Sequence, residues 1–235
     1  EKFSEYCADY ILFKNYDDKY LTIPEYTSLI PENFKEKLKE KILTYPEEMP
    51  ASNLLNELKQ NNIPCVGMDS YMDQHLTQHL EMKAKDHKFK FCTIDSEYEN
   101  LFTEKVENEE SEAEMKELFE TSLKTLGDNY KVEFKNFNIE NGPAYLKEDA
   151  QMKRFASMTQ SMGNGMAFPV PQTLVVNHKH PLVTKTKNYL SENNKELAGI
   201  LAEQIRDLSR LTQGTLPNAD VAKFVQRTEN LLLKI

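Results

Sequence analysis

The chain has 235 residues, of which 39% are hydrophobic and 29% are charged, so it is long enough to form two compact units with buried cores. Its formal net charge of -9 argues against nucleic acid bound through phosphates and against a surface that adsorbs to anionic lipid. The 3 cysteines form no paired motif and no apolar run is long enough to span a bilayer, which predicts a protein of the reducing cytoplasm without a membrane segment.

The first half of the sequence alternates short predicted strands with helices. Residues 9–15 and 20–26 are predicted as strands around a turn, and residues 31–41 as a helix. The elements after them are a strand over 41–45, a helix over 51–61, a strand over 65–69, a helix over 70–83 and a strand over 89–95. Because such alternation requires right-handed crossovers, it predicts a small three-layer α/β unit with a mainly parallel sheet.

An acidic run over residues 103–117 separates the two halves, and we predict a boundary near Asn108 that divides the chain into domains 1–108 and 109–235. The elements predicted beyond it are a helix over 112–126, strands over 130–137, 143–149 and 172–177, and helices over 181–191, 195–212 and 218–234. This order predicts an α+β domain with a short sheet and a helical hairpin at its C-terminal end.

The last two predicted helices are amphipathic. Apolar residues of the first cover an arc of about 140° at 100° per residue, and those of the second recur at the same spacing. They are Leu197, Ile200, Leu201, Ile205, Leu208 and Leu211, then Val221, Phe224, Val225, Leu231, Leu232 and Ile235. Such a hairpin can pack inside its own domain or form a four-helix bundle with a second copy. Periodicity alone favours the first arrangement and leaves the second open.

Residues 151–169, "QMKRFASMTQSMGNGMAFP", gather methionine and phenylalanine in an otherwise polar chain. Five of these side chains fall within about 120° on a helix; they are Met152, Phe155, Met158, Met162 and Met166. The simpler interpretation is a helix packed on its own sheet, because each buried side chain contributes roughly 1.5–3 kcal/mol. The alternative is a binding surface, because methionine adapts to many apolar partners.

Candidates for catalysis or metal binding are weak. His75 and His79 have the spacing of two zinc ligands, but "HLTQH" lacks the glutamate of the zinc-protease motif. His178 and His180 have no nucleophile motif beside them. The sequence has no phosphate-binding glycine loop, and aspartates at predicted strand ends are explained equally well as helix caps. No enzyme and no metal site is predicted.

Several blocks of the sequence carry a family resemblance. The blocks "ILFKNYDDKYLTIPEY", "MDSYMDQHLTQHLEMK" and "FKFCTIDSE" resemble the middle domain of the ninety-kilodalton heat-shock chaperones, bacterial high-temperature protein G type. The blocks "LVVNHKHPLV" and "LAEQIRDLSRLTQGTLPNADVAKFVQRTENLLLKI" are similar to the C-terminal dimerisation domain of that family. The resemblance covers essentially the whole chain, and its last block is the most specific.

The resemblance implies that residues 1–108 are the end of the middle domain and residues 109–235 the dimerisation domain. It also implies that the ATPase domain, with its ATP and Mg²⁺, is found only in the full-length protein, so that this chain has no enzymatic activity or cofactor. The implied function is that of a cytoplasmic stress-response chaperone, a homodimer that contacts unfolded or partly folded client proteins. No acidic docking tail follows Ile235, which indicates the bacterial type.

The resemblance assigns two kinds of site residue. The implied dimer interface consists of Leu197, Leu201, Ile205, Leu208, Leu211, Val221, Phe224, Val225, Leu231 and Leu232. The implied client contacts are Met152, Phe155, Met158, Met162, Met166 and Phe168, with a second patch at His75 and Gln78, where the family has an aromatic residue near the histidine. The alternative function is a non-enzymatic dimeric scaffold whose α/β unit binds a small ligand at strand ends near Asp69 and Asp95.

Overall fold

A computed structural model describes residues 8–46, 52–68, 71–83, 89–103, 112–127, 129–138, 142–149, 152, 155–156 and 170–233. The chain divides into two compact units, Glu1–Leu101 and Phe102–Ile235. The boundary that we predicted near Asn108 lies outside the described residues.

The described part of the first unit contains short elements, a three-stranded sheet and a separate two-stranded sheet. In chain order they are a 3₁₀ turn Ala8–Tyr10, β1 Phe13–Lys14, β2 Tyr20–Leu21, α1 Ile23–Leu29, α2 Glu32–Lys35, β3 Lys41–Pro46, α3 Asn53–Gln60, β4 Val66–Met68, α4 Tyr71–Lys83, β5 Lys90–Thr93 and α5 Ile94–Phe102. The three-stranded sheet has the order β4-β3-β5 with both pairs parallel, whereas β1 and β2 form a separate antiparallel pair. The unit is therefore an α/β unit with a parallel sheet, as the alternation of elements predicted.

The core of this unit forms around β3, the central strand. Leu43 is fully buried, and its backbone N–H donates a hydrogen bond of 2.8 Å to the Tyr26 hydroxyl, which fixes α1 against the sheet. The buried Tyr98 hydroxyl of α5 donates to the Glu57 carboxylate of α3. These two buried hydroxyl groups thus have partners on neighbouring elements, as interior packing favours.

Four predicted elements of the first unit differ from the structure. The strand predicted over 9–15 is a 3₁₀ turn at Ala8–Tyr10 followed by a strand of two residues, Phe13–Lys14. The strand predicted over 20–26 ends at Leu21, because Thr22 begins α1 with a capping box: its hydroxyl accepts from the Glu25 N–H, and the Glu25 carboxylate accepts from the Thr22 N–H at 2.8 Å. The helix predicted over 31–41 ends at Lys35, and the chain then turns through Glu40 with a φ of 62°. The strand predicted over 89–95 ends at Thr93, where α5 begins.

The described part of the second unit contains a mixed sheet and four helices. Its elements are α6 Glu112–Lys124, β6 Tyr130–Lys135, β7 Ala144–Glu148, β8 Gln172–Asn177, α7 Pro181–Ser191, α8 Lys195–Thr212 and α9 Asn218–Leu232. The central strand β8 is parallel to β6 and antiparallel to β7. This is the predicted α+β arrangement, and the bounds of α7 and α8 are those that the sequence predicted.

The core of the second unit lies between this sheet and α6, α7 and α8. Phe119 of α6, Leu174 and Val176 of β8, and Ile205 of α8 are all fully buried in it. Gln213, just after α8, also ties that helix to the sheet: its side-chain amide accepts from the Leu146 N–H at 2.6 Å and donates to the Leu146 carbonyl at 2.7 Å. The end of α8 is thereby fixed against β7, the edge strand.

Candidate homodimer interface and client-contact surfaces

Helix α8 has two different apolar faces. Its N-terminus is capped by Asn194, whose side chain accepts from the Leu197 N–H at 3.2 Å. One face buries Ala198, Ala202 and Ile205 completely in the core of the unit. Because residues three and four apart share a helix face, Leu197, Leu201 and Leu208 lie on a second face, which borders α7 and α9.

Helix α9 presents an apolar stripe that the described part of its own unit leaves partly uncovered. None of its 15 residues, all within the described part of the chain, is buried. Val225 is 47% exposed and Leu232 is 67% exposed, and Leu233 just beyond the helix is 85% exposed. Apolar stripes of this width on a helix normally face a core or a partner.

A groove of about 270 Å³ separates α7, α8 and α9. Most of its lining is apolar, and the Lys185 ammonium at its edge lies 5.9 Å from the centre of the Tyr189 ring. The residues that line it are Leu182, Lys185, Tyr189, Leu197, Leu201, Gln204, Ile205, Leu208, Phe224, Thr228, Leu231 and Leu232. The groove therefore runs along the same hairpin that carries the exposed stripe.

The structure brings together most of the side chains that the sequence assigned to a dimer interface. Seven of them line the groove: Leu197, Leu201, Ile205, Leu208, Phe224, Leu231 and Leu232. Leu211 and Val225 are exposed elsewhere on the hairpin, and Val221 is half-buried. Ile205 has no exposed surface and also belongs to the core of its own unit, so its packing within the chain accounts for its burial.

Sequence reasoning missed an ionic network that joins α6, α8 and α9. The buried Asp207 carboxylate accepts two hydrogen bonds from the Arg206 guanidinium, at 2.8 and 2.9 Å, and one from the Arg227 guanidinium at 2.5 Å. Arg206 also donates to the Ser122 carbonyl and to the Thr125 hydroxyl of the segment at the end of α6. Burial alone would raise the pKa of Asp207, but the hydrogen bonds and charges of Arg206 and Arg227 outweigh it and hold this pKa below its usual range.

The predicted client contacts in the methionine-rich segment are described only in part. Met152 is 38% exposed and Phe155 is 50% exposed, and the Asp149 carboxylate accepts from the Met152 N–H at 2.9 Å. Met158, Met162, Met166 and Phe168 lie outside the described residues. Both described members of the set thus retain an exposed apolar surface.

The second predicted client patch lies on an exposed face of α4. His75 and Gln78 are exposed, while Leu80 faces inward and is buried. Three further apolar side chains on this helix are exposed, Met72 at 71%, Leu76 at 36% and Met82 at 70%. With His75 they fall within about 120° of one another at helical spacing. This spacing is visible in the sequence and could have identified the three apolar residues as members of the same surface.

The remaining candidates have structural roles or fall outside the described residues. His180 caps α7, because its Nδ1 accepts from the Leu182 N–H at 3.1 Å, and burial lowers its pKa. Asp95 lies in the first turn of α5, and Asp69 is outside the described residues. Within the described ranges, no three His, Cys, Asp or Glu side chains are grouped as a metal site would require. No helix there has the length and apolar character needed to cross a membrane.

Comparison with known proteins identifies relatives of one kind. No protein-family model matches the chain. A chaperone protein htpG of Bacteroides fragilis (strain YCH46) is 29% identical over 225 residues, which is 91% of this chain and 32% of the relative. Chaperone proteins HtpG of Sulfurimonas denitrificans and Porphyromonas gingivalis (strain ATCC 33277) are each 26% identical, over 94% and 86% of this chain and 34% and 32% of the relatives.

The chain thus spans about a third of the length of the curated relatives that it matches. The similarity extends over both compact units, since it covers about nine-tenths of the residues. The resemblance read from the sequence is therefore confirmed: this chain is similar to a part of the HtpG heat-shock chaperones.

Proposed function

We propose that the chain is the part of an HtpG-type chaperone that joins two protomers and offers apolar surface to unfolded client proteins. The observation that carries this proposal is the hairpin of α8 and α9, in which an exposed apolar stripe lies beside an apolar groove. The similarity to HtpG chaperones supports the same function. ATP binding and hydrolysis are proposed to depend on residues outside this chain.

A second copy of the chain is the partner that best fits the hairpin. In a two-fold dimer the same surface of both protomers forms the interface. The exposed stripe of one hairpin can therefore pack into the groove of the partner's hairpin, and the reverse contact forms at the same time. Val225 and Leu232 are 47% and 67% exposed, and covering that surface would contribute about 1–2 kcal/mol for each side chain. Two-fold symmetry doubles that contribution to about 4–8 kcal/mol from these two positions, and burial of the side chains that line the groove would add to it.

Client contact is assigned to two exposed apolar surfaces, one in each unit. The first includes Met152 and Phe155, and the second is the exposed face of α4 that carries Met72 and Met82. Methionine is unbranched and polarizable, so it adapts to apolar partners of different shape. A surface of this kind binds partly unfolded chains without requiring one sequence.

The dimer is tested by sedimentation of the 235-residue chain and of a V225S/L232S variant. Both side chains are exposed, so the variant should keep its helical content while its dimer dissociation constant rises by about a thousandfold or more. The control is L29S, which removes a side chain that is 52% exposed in the first unit. A wild-type chain that sediments as a monomer at micromolar concentration would contradict the proposal.

Client contact is tested separately with an M152S/F155S variant. The assay is light scattering from a thermally unfolding enzyme mixed with the chain, with L29S again as the matched control. We expect the variant to suppress aggregation less than the wild type does while its dimer mass stays the same. If the variant and the wild type suppress aggregation equally, Met152 and Phe155 are not part of the client-contact surface.

A further inference from the structure

Helix α9 is held to its unit mainly by polar contacts. Its apolar side chains border the groove without becoming buried, so they restrict its rotation about its own axis only weakly. The Arg227 guanidinium, in contrast, uses all three of its nitrogens on α8. Nε donates to the Gln204 side chain at 2.8 Å, Nη1 to the Glu203 carboxylate at 3.1 Å, and Nη2 to the Asp207 carboxylate at 2.5 Å.

One further hydrogen bond fixes the neighbouring position. The Gln204 side-chain amide donates to the Thr228 hydroxyl at 2.7 Å, and that hydroxyl donates to the Phe224 carbonyl in the previous turn of α9. Gln204 is only 6% exposed, so these bonds form where little water competes for them. Two successive residues of α9 are therefore bound to a single side chain of α8.

The receiving site on α8 is itself rigid. Asp207 is 3% exposed and Arg206 is 6% exposed, and their paired hydrogen bonds connect this site to the segment at the end of α6. Because Arg206 donates to both oxygens of the carboxylate, the Oδ2 atom offers Arg227 an acceptor whose position is fixed. A bidentate guanidinium pair of this kind restricts orientation as well as distance.

The position of Arg227 on its helix determines what this attachment does. At 100° per residue, Arg227 lies about 140° from Leu232 and about 160° from Val225 around the helix axis. Attaching Arg227 to α8 therefore keeps those two apolar side chains out of the chain's own core: Leu232 borders the groove and Val225 lies outside it, with exposures of 67% and 47%.

From this geometry we infer that Arg227, bound by Glu203, Gln204 and Asp207, is a positioning residue that sets the rotation of α9 and so prepares its apolar stripe for the partner protomer. The inference rests on the proposed homodimer. Arg227 is separable from the fold, because Asp207 keeps its bonds to Arg206 when Arg227 is removed. Preorganisation of this kind raises affinity by reducing the ordering that binding requires.

The test compares R227M with K223M by sedimentation equilibrium of the full chain. Both substitutions remove one positive charge from α9 and keep an unbranched side chain. Lys223, however, is 79% exposed and forms an ion pair with Asp220 on its own helix. We expect the dimer dissociation constant of R227M to rise about tenfold or more, and that of K223M to change less than about threefold. Circular dichroism of dilute monomer should show unchanged helical content in both.

A second variant keeps the inference testable if R227M fails to fold. Q204M retains the packing of a long side chain but loses the bonds to Arg227 and Thr228, so its dimer should weaken in the same direction and by less. If the wild type dimerises and R227M, or Q204M in its place, dimerises equally well, the inference is overturned and the proposed function stands. If the wild type is a monomer, both are overturned.

Discussion

Replacing Asp207 with asparagine removes the negative charge around which the α6, α8 and α9 network is built. The side chain is 3% exposed and accepts charged hydrogen bonds from Arg206 and Arg227, and Arg210 lies 3.5 Å away. Without the carboxylate, the buried arginines lose their counterion. Removing one partner of a buried ion pair typically lowers the free energy of unfolding by about 3–5 kcal/mol. Because the amide oxygen of asparagine still accepts a hydrogen bond, we expect a loss of about 3 kcal/mol in unfolding free energy.

The assay must report on the second unit alone, since the chain has two units. Hydrogen exchange measured by mass spectrometry on peptides from α8 follows the opening of this unit directly. A loss of about 3 kcal/mol corresponds to exchange that is roughly a hundredfold faster. The control is D220N, whose carboxylate is 33% exposed and lies 3.9 Å from Arg210, and it should change exchange by less than about threefold.

The dependence on pH gives the same prediction an independent check. The pKa of Asp207 is held below its usual range in the folded protein, so its contribution to stability is present above the unfolded pKa of about 3.9 and is lost as pH falls through the lower folded value. The wild type should therefore lose stability under acidic conditions in a step that D207N lacks. Exchange rates in D207N within threefold of the wild type at neutral pH would refute the reasoning.

Three further predictions concern single polar contacts. Burial lowers the pKa of His180, and its neutral ring caps α7. The free energy of unfolding of the second unit should therefore fall by up to about 1 kcal/mol as pH falls below about 6.5. The H180N variant should lack this pH dependence, which hydrogen exchange in α7 would measure. Q213A removes two hydrogen bonds to Leu146. It should lower the free energy of unfolding of the second unit by about 1–2 kcal/mol, which would be measured as faster hydrogen exchange in β7. Y98F leaves the buried Glu57 carboxylate without the Tyr98 hydroxyl and should cost about 1–3 kcal/mol in urea unfolding of the first unit.

The sequence predicts best where a local signal coincides with the periodic pattern. Helix α7 begins with Pro181 and helix α8 begins after Asn194, whose side chain accepts from the Leu197 N–H. Both residues are signals of a helix start that coincide with the apolar period, and the predicted bounds of the two helices are the observed ones. The parallel sheet of the first unit followed from the alternation of elements. The prediction of a strand over 20–26 was wrong. Ile23 and Tyr26 are typical strand residues, but the capping box of Thr22 and Glu25 begins a helix there.

Long-range polar contacts could not be predicted from local patterns. Arg206 and Asp207 are adjacent in the sequence and would be expected on a solvated helix face, yet both are buried. Their partners Ser122 and Arg227 are 84 and 20 residues away, and only the packing of α6 and α9 around α8 brings them together. A helical stripe likewise predicts that a face is apolar without telling whether the chain itself or a partner covers it.

The division of α8 into two apolar faces allows one helix to serve both the stability of its unit and the proposed association with a second copy. Ala202 and Ile205 bury completely in the core, so the helix stays folded whether or not a partner is present. Leu197 and Leu208 border the groove and gain burial only when another surface fills it. Because Asp207 lies between the core and α9, substitutions there should weaken both the fold and the proposed dimer. Substitutions at Leu232 should weaken the dimer alone, since that side chain is 67% exposed in the single chain.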